Sequence, residues 1–281
     1  MSEIITVYYP DKSIKQGYKS LFHEMIKETI EARWLTWQLF RRNFSATYRQ
    51  SVLGIFWALL VPLASVGTFI YLNSAGILST GGTSVPYPLF AVAGVALWQV
   101  FSVGLTLSTN SLHAARPLIE KINFPREAIV ISAVAQGIIP SLIQTVVVFL
   151  LFAYYRISPP LSVTLVPLAM IPLVLLTLGL GFILSLLNGV IRDIGNAISS
   201  LITFLVFVTP VLYTRPTGGF AAVVTTYNPL YYLVAVPRDL LIFGSTDELP
   251  GFIYSAISSV IVFLLCWTAF HLTETKIAER M

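Results

Sequence analysis

The sequence predicts an all-α membrane protein. It should have six transmembrane helices, an N-terminal amphipathic interface helix, and short re-entrant helices between spans five and six. Three observations carry that expectation. Hydrophobic residues make up 56% of the 281 residues and charged residues only 11%, against about 25% charged in an ordinary soluble domain. Apolar runs long enough to cross a bilayer recur along the chain. The basic residues are distributed unevenly between the loops that separate those runs. So few charges cannot coat a water-soluble surface, which excludes a soluble globular enzyme and a disordered chain. Cys266 is the only cysteine and has no intramolecular partner, which excludes a disulfide scaffold. A net charge of +4 on so apolar a chain points to a membrane surface before nucleic acid, and no nucleic-acid partner is expected.

Residues 1–47 form a polar cytoplasmic arm. Tyr18, Leu21, Phe22, Met25, Ile26, Thr29, Ile30, Trp34 and Trp37 recur at helical spacing, and Lys19, Glu24, Lys27, Glu28 and Glu31 fill the opposite face. Two environments suit such a helix. It lies in the headgroup layer, with Trp34, Trp37, Arg41 and Arg42 at the lipid boundary; or its Met and aromatic stripe packs as ordinary core. The interface is favoured, since the sequence offers no other soluble mass to pack on. The arm has no apolar core followed by a cleavage site, so no signal peptide is expected.

Residues 48–281 form the transmembrane domain. A spanning helix needs about 20 mostly apolar residues. Residues 52–73, 88–110, 128–155 and 161–189 meet that requirement, 197–213 is shorter, and 251–271 completes the six. Residues 220–243 are interrupted by Asn228-Pro229 and Pro237-Arg238 and carry Asp239. Two short helices that dip in and return suit them, provided protein buries their backbone. With both termini cytoplasmic, 14 of the 17 Lys and Arg fall inside and three outside, as the positive-inside rule requires.

The chemistry that is missing narrows the function. No phosphate-binding glycine loop, nucleophile elbow or zinc-protease motif occurs. His23, His113 and His271 lie far apart in sequence with no carboxylate cluster beside them, so no metal site is expected. No ionisable residue stands in the middle of a span, which weakens a proton- or ion-coupled carrier. A membrane channel or scaffold that draws its energy from elsewhere remains.

Four segments are distinctive. They are Tyr48-Arg49-Gln50-Ser51-Val52-Leu53-Gly54-Ile55-Phe56-Trp57-Ala58-Leu59-Leu60-Val61-Pro62-Leu63 leading into span one, Arg116-Pro117-Leu118-Ile119-Glu120-Lys121-Ile122-Asn123-Phe124-Pro125-Arg126-Glu127 between spans two and three, Leu187-Asn188-Gly189-Val190-Ile191-Arg192-Asp193-Ile194 after span four, and Tyr227-Asn228-Pro229-Leu230 with Pro237-Arg238-Asp239-Leu240-Leu241 near the end. Together, from about residue 41 to the C-terminus, they resemble the membrane subunit of a type-2 ABC exporter of the polysaccharide branch.

That resemblance implies a homodimer with two copies of a cytoplasmic ABC ATPase, which binds the ATP and magnesium; this chain would hold no cofactor. It would be a non-catalytic permease in the bacterial cytoplasmic membrane. It would export a polyprenyl-diphosphate-linked polysaccharide, O-antigen first; teichoic acid, capsule or a smaller lipid or drug is the alternative. The segment with Arg116, Glu120, Lys121, Phe124 and Arg126 would be the coupling helix, joined by Arg192 and Asp193. Its other reading is a solvated loop that obeys the charge rule, and Arg192–Asp193 could be a local ion pair. Arg41, Arg42 and Arg49 would meet the lipid phosphates. Trp57, Tyr71, Phe204, Phe207 and Tyr213 would line the path, where sugar rings stack on aromatic faces. Tyr227, Tyr231 and Tyr232 would narrow the outer exit. Lipid-facing or core aromatics are the plainer reading of both aromatic sets.

Overall fold

The structure, a computed structural model, describes residues 18–49, 56–76, 85–121 and 124–278. Among them the regular structure is entirely helical. The arm is a pair of helices, α1 (Tyr18–Glu31) and α2 (Arg33–Arg49), followed by α3 (Phe56–Ser74). The long central helix α4 (Tyr87–Ala114) runs into the single turn α5 (Arg116–Ile119). Helices α6 (Glu127–Ala135) and α7 (Ile138–Tyr155) form one broken span. A short 3₁₀ turn and α8 (Val166–Ala169) lead into α9 (Ile171–Val190), and α10 (Asp193–Val208) follows. Helices α11 (Gly219–Tyr227) and α12 (Pro229–Ile242) make a bent pair, and α13 (Leu249–Ala278) closes the chain.

Helix α4 is the axis of the bundle. It is buried over most of its length and packs against α3, α6, α7, α9, α10 and α12. Its small residues allow close approach. A Cβ built on Gly94 would lie 2.3 Å from the Val211 carbonyl oxygen, and one on Gly181 of α9 would lie 2.5 Å from Ser108 Oγ. Helices that bury no water between them associate through such packing. In contrast, α13 is largely uncovered along its span, and its apolar residues Ile257, Ile261 and Leu265 face outward. That is the composition of a lipid-facing helix.

Among the described residues, four segments are long and apolar enough to cross a bilayer: Tyr87–Ala114, Glu127–Tyr155, Leu161–Val190 and Leu249–Glu274. The bent pair would make a fifth. The six expected spans are therefore not all matched. The expected first span overlaps α3, whose early side chains lie outside the described residues. The expected fifth is α10, whose 16 residues reach only about 24 Å at 1.5 Å per residue.

The boundary expected at residue 47 falls inside α2 (Arg33–Arg49). Leu21, Met25, Ala32 and Leu39 of the arm are buried in one cluster with Leu112, Ile129, Phe182, Trp267 and Phe270. The end of the bundle is the mass the arm packs on. Its apolar stripe is thus divided: Leu21 and Met25 turn inward, while Ile26, Ile30, Trp34 and Trp37 remain exposed.

The bent pair turns through 84° at one break rather than two. Asn228 makes that break: its Oδ1 accepts from the Leu230 amide at 3.0 Å and its Nδ2 donates to Thr209 Oγ1 at 2.9 Å. Pro237 lies within α12 and does not end it. Residues 230–238 are all buried, and that packing offsets the hydrogen bond that proline removes.

Candidate functional site

The expected coupling segment and the turn after α9 converge on the same end of the bundle as the arm. Arg116 Nε donates to Glu120 Oε1 at 3.2 Å, one helical turn on, with Arg116 half-buried and Glu120 exposed. Lys121 is exposed beside them. Ile122 and Asn123 lie outside the described residues. The apolar side of the segment does not project outward: Leu118, Ile119 and Phe124 are half-buried against the cluster that holds Leu112, Ala128 and Phe270. Arg126 is also drawn in, donating to the backbone oxygen of Glu274. What the segment presents at the surface is therefore charge, and its apolar residues are its grip on the bundle.

Arg192 and Asp193 are both exposed, and no ion pair joins them. The turn is organised instead by buried Asn188. Its Nδ2 donates to the Thr109 carbonyl at 3.1 Å and to Asn110 Oδ1 at 3.2 Å, and its Oδ1 accepts from the Gly195 amide at 2.7 Å. Asn188 thus ties α9 to both α4 and α10. Asn188→Leu keeps the branched shape but leaves these partners unsatisfied in a buried site, at about 1–3 kcal/mol for each group left orphaned. The purified variant should unfold at a lower temperature than wild type in detergent; an unchanged midpoint would remove Asn188 from this role.

Trp34, Trp37, Gln38, Arg41, Arg42, Ser45 and Ala46 share one face of α2 and line an open groove of about 840 Å³. Arg41 and Arg42 are exposed there, with Arg42 forked onto Asn43 Oδ1 at 3.1 and 3.2 Å. Indole and guanidinium on one helix face form a surface suited to lipid headgroups. The side chain of Arg49, the last residue of α2, lies outside the described residues.

Of the expected lining set, Tyr71, Phe204 and Phe207 are 67%, 68% and 63% exposed. Phe204 and Phe207 belong to an uncovered apolar face of α10 that also includes Leu201 and Val208. Tyr213 is half-buried, and its hydroxyl donates to the Phe207 carbonyl at 2.7 Å. The side chain of Trp57 lies outside the described residues.

The three exit tyrosines separate. Tyr227 is exposed, whereas Tyr231 and Tyr232 are buried, because α12 is packed between α4 and α13. Tyr231 donates to Glu248 Oε1 at 2.9 Å, and Tyr232 to the Thr226 carbonyl at 3.0 Å. Glu248 also receives Arg215 Nη1 at 2.8 and 2.9 Å. That hydrogen bond, ahead of the opposing effect of burial, holds the Arg215 guanidinium above its usual pKa. Tyr231 and Tyr232 thus brace the turn into α13 and do not face an opening of this subunit.

Two charged features were missed. Arg238, one of the three basic residues counted as external, is buried. Its Nη1 donates to the Pro210 carbonyl at 3.1 Å, its Nη2 to Asp239 Oδ1 at 3.2 Å, and its guanidinium lies 4.0 Å from the Phe90 ring centroid. It is not a loop charge, and removing it from the external count sharpens the charge bias. His271 is not isolated from carboxylates. Its Nδ1 lies 2.8 Å from Glu127 Oε1, and Glu28 of α1 joins the group. Burial pushes the Glu28 carboxyl above its ordinary range, against the downward pull of His271. Sequence separations of about a hundred residues hide such a cluster; an acid opening an apolar helix, as Glu127 does, was the available signal.

Residues 35–242 match the ABC-2 type transporter family. The chain is 25% identical over 269 residues to the O-antigen export system permease protein RfbA of Myxococcus xanthus, covering 91% of this chain and 97% of that relative. It is 30% identical over 212 residues to a protein of the same name from Klebsiella pneumoniae, covering 73% and 79%. A second Klebsiella pneumoniae protein of that name is 30% identical over 209 residues, covering 72% and 78%.

Proposed function

The chain belongs to the ABC-2 type transporter family, and from that premise we propose that it is the permease subunit of an ATP-driven exporter of O-antigen. The observation that carries this reading is likeness along 91% of the chain to a relative named as an O-antigen export permease. The chain is a multi-pass membrane protein, and as an exporter permease it works with an ABC ATPase.

The finer assembly is a homodimer with two cytoplasmic ATPase subunits in the bacterial inner membrane. It has six spans, α3 and α10 completing the set, and both termini inside. ATP and magnesium are held by the partner, and this chain catalyses nothing. Closure of the ATPases would press on the charged surface of Arg116, Glu120 and Lys121, with Arg192 and Asp193 on the neighbouring turn. Phe124 and Arg126 pass that motion into the bundle through their contacts with the cluster below. The polyprenyl diphosphate meets Arg41, Arg42 and Arg49 beside the two tryptophans, where guanidinium binds phosphate in a fork. The sugar chain then slides past Trp57, Tyr71, Phe204, Phe207 and Tyr213 between two copies, with Tyr227 at the exit. Stacking on flat faces grips every pyranose similarly, so the path suits a repetitive polymer.

The test uses the permease co-purified with its ATPase. Glu120→Lys with Lys121→Glu changes only exposed side chains, so the fold should be unaffected within about 0.5 kcal/mol. A mismatched charge at an interface costs several kcal/mol. Coupled ATP hydrolysis and polymer export should therefore fall by roughly tenfold or more. Full activity in this variant would reject the segment as the transmission point. A second arm replaces Arg41, Arg42 and Arg49 by Glu: the complex should assemble and hydrolyse ATP, while surface O-antigen disappears. Normal export from that strain would end the phosphate-binding role.

A further inference from the structure

Glu28, Glu127 and His271 come from α1, the start of α6 and the end of α13. One candidate ligand atom from each lies within 4.8 Å of the other two. His271 Nδ1 already touches Glu127 Oε1 at 2.8 Å. Glu127 is 1% exposed, and its second oxygen, Oε2, has no hydrogen-bond partner among the described residues. The Glu274 carboxylate neighbours both Glu127 and His271, and its Oε2 is likewise buried without a partner. The cationic side chain that reaches this group, Arg126, spends its hydrogen bond on the Glu274 backbone oxygen. Three carboxylates therefore converge with one imidazole and one guanidinium beneath an apolar cluster. Buried carboxylate oxygens are ordinarily satisfied by hydrogen bonds, a counter-charge or a metal.

We propose that Glu28, Glu127 and His271 form a structural site for a divalent cation of the zinc class, fastening helix α1 to the end of the bundle. The ligand chemistry selects the metal. One imidazole nitrogen with two carboxylate oxygens suits zinc, whereas calcium and magnesium prefer oxygen-only shells with more ligands. A tetrahedral ion with bonds of about 2.0–2.1 Å holds its ligand atoms about 3.3 Å apart. A water completes the fourth position. The site lies directly behind the segment 116–126 and joins three elements far apart in sequence. Metal binding would therefore stiffen the junction between the arm and the surface offered to the ATPase. This holds whatever the permease exports.

The experiment uses the full chain in detergent, purified without a histidine tag and stripped with EDTA. Zinc chloride is added, and the metal retained after gel filtration is measured by mass spectrometry alongside the thermal midpoint. Wild type should retain about one zinc ion per chain, and zinc should raise its midpoint. Glu127→Gln and His271→Gln should weaken binding by at least about tenfold and abolish the thermal shift. Because a change at Glu127 could disturb folding, Glu28→Gln at the half-buried rim provides an independent variant and should behave the same way. His23→Ala and His113→Ala, both at exposed histidines, should change nothing. Wild type that retains no zinc, full retention in Glu28→Gln and His271→Gln, or loss in the His23 and His113 variants would each overturn the site.

Discussion

Arg238→Ala should be among the most damaging single substitutions in this protein, at about 3–5 kcal/mol. The guanidinium bonds to the Pro210 carbonyl and the Asp239 carboxylate and stacks over Phe90, with only 4% of its side chain exposed. Truncation orphans the carbonyl, leaves Asp239 without its main counter-charge, and opens a cavity between α4 and α12. Thr246 Oγ1 still donates to Asp239 Oδ2 at 3.3 Å, which cannot replace an ion pair. Arg238→Lys should rescue poorly, because one ammonium cannot span partners that a planar fork reaches together. The double variant Arg238→Met, Asp239→Leu should recover much of the loss, since replacing both charges leaves neither stranded. Size-exclusion profile and thermal midpoint in detergent read all three. A normal Arg238→Ala protein, or a double variant worse than the single, would show that the pair does not hold α12 in place.

Gly137→Leu should be comparably disruptive, for a steric reason. Gly137 sits at the break between α6 and α7, and a Cβ there would lie 2.7 Å from the Gly104 nitrogen and 2.9 Å from the Val100 oxygen. These are backbone atoms of the central helix and cannot rotate aside. The added side chain must push α7 away from α4, at about 3 kcal/mol or more for a core that cannot yield. Even Gly137→Ala should lower the unfolding temperature, since the first carbon is already the clash. Gly218→Ala is the control: nothing lies within 4 Å of its built Cβ, and it should be near-neutral. If Gly137→Ala and Gly218→Ala unfolded together, the close approach of α4 and α7 would be wrong.

Helical class was legible because it depends on composition and on run length. Without water, every backbone amide must be paired within its own segment, so long apolar runs such as 161–189 could become little else. The Asn228-Pro229 break was legible for the same reason: proline cannot donate, and asparagine before it caps the next helix. Pro237 misled because its local cost is set against packing that no local window contains. The arm misled similarly. Leu21, Ile26, Trp34 and Trp37 fall on one stripe by spacing, and only the position of the bundle end determines that Leu21 is buried and Trp34 is not.

The candidate site divides along the same line. Exposed charges such as Glu120, Lys121, Arg41 and Arg192 could be read from sequence, because a charged residue in an apolar chain is placed at the membrane edge by solvation alone. Tyr231 and Tyr232 could not, since an aromatic residue is equally at home in a belt, a pore or a core. Thus the sequence by itself determined a helical membrane protein, its charge asymmetry and its resemblance to exporter permeases, all properties of local hydration and residue order. Only the tertiary structure decided that Arg238 is an internal strut, that Asn188 organises its turn, and that Glu28, Glu127 and His271 meet. Those outcomes depend on which distant backbones approach each other, and hydropathy carries no information about pairing across a hundred residues.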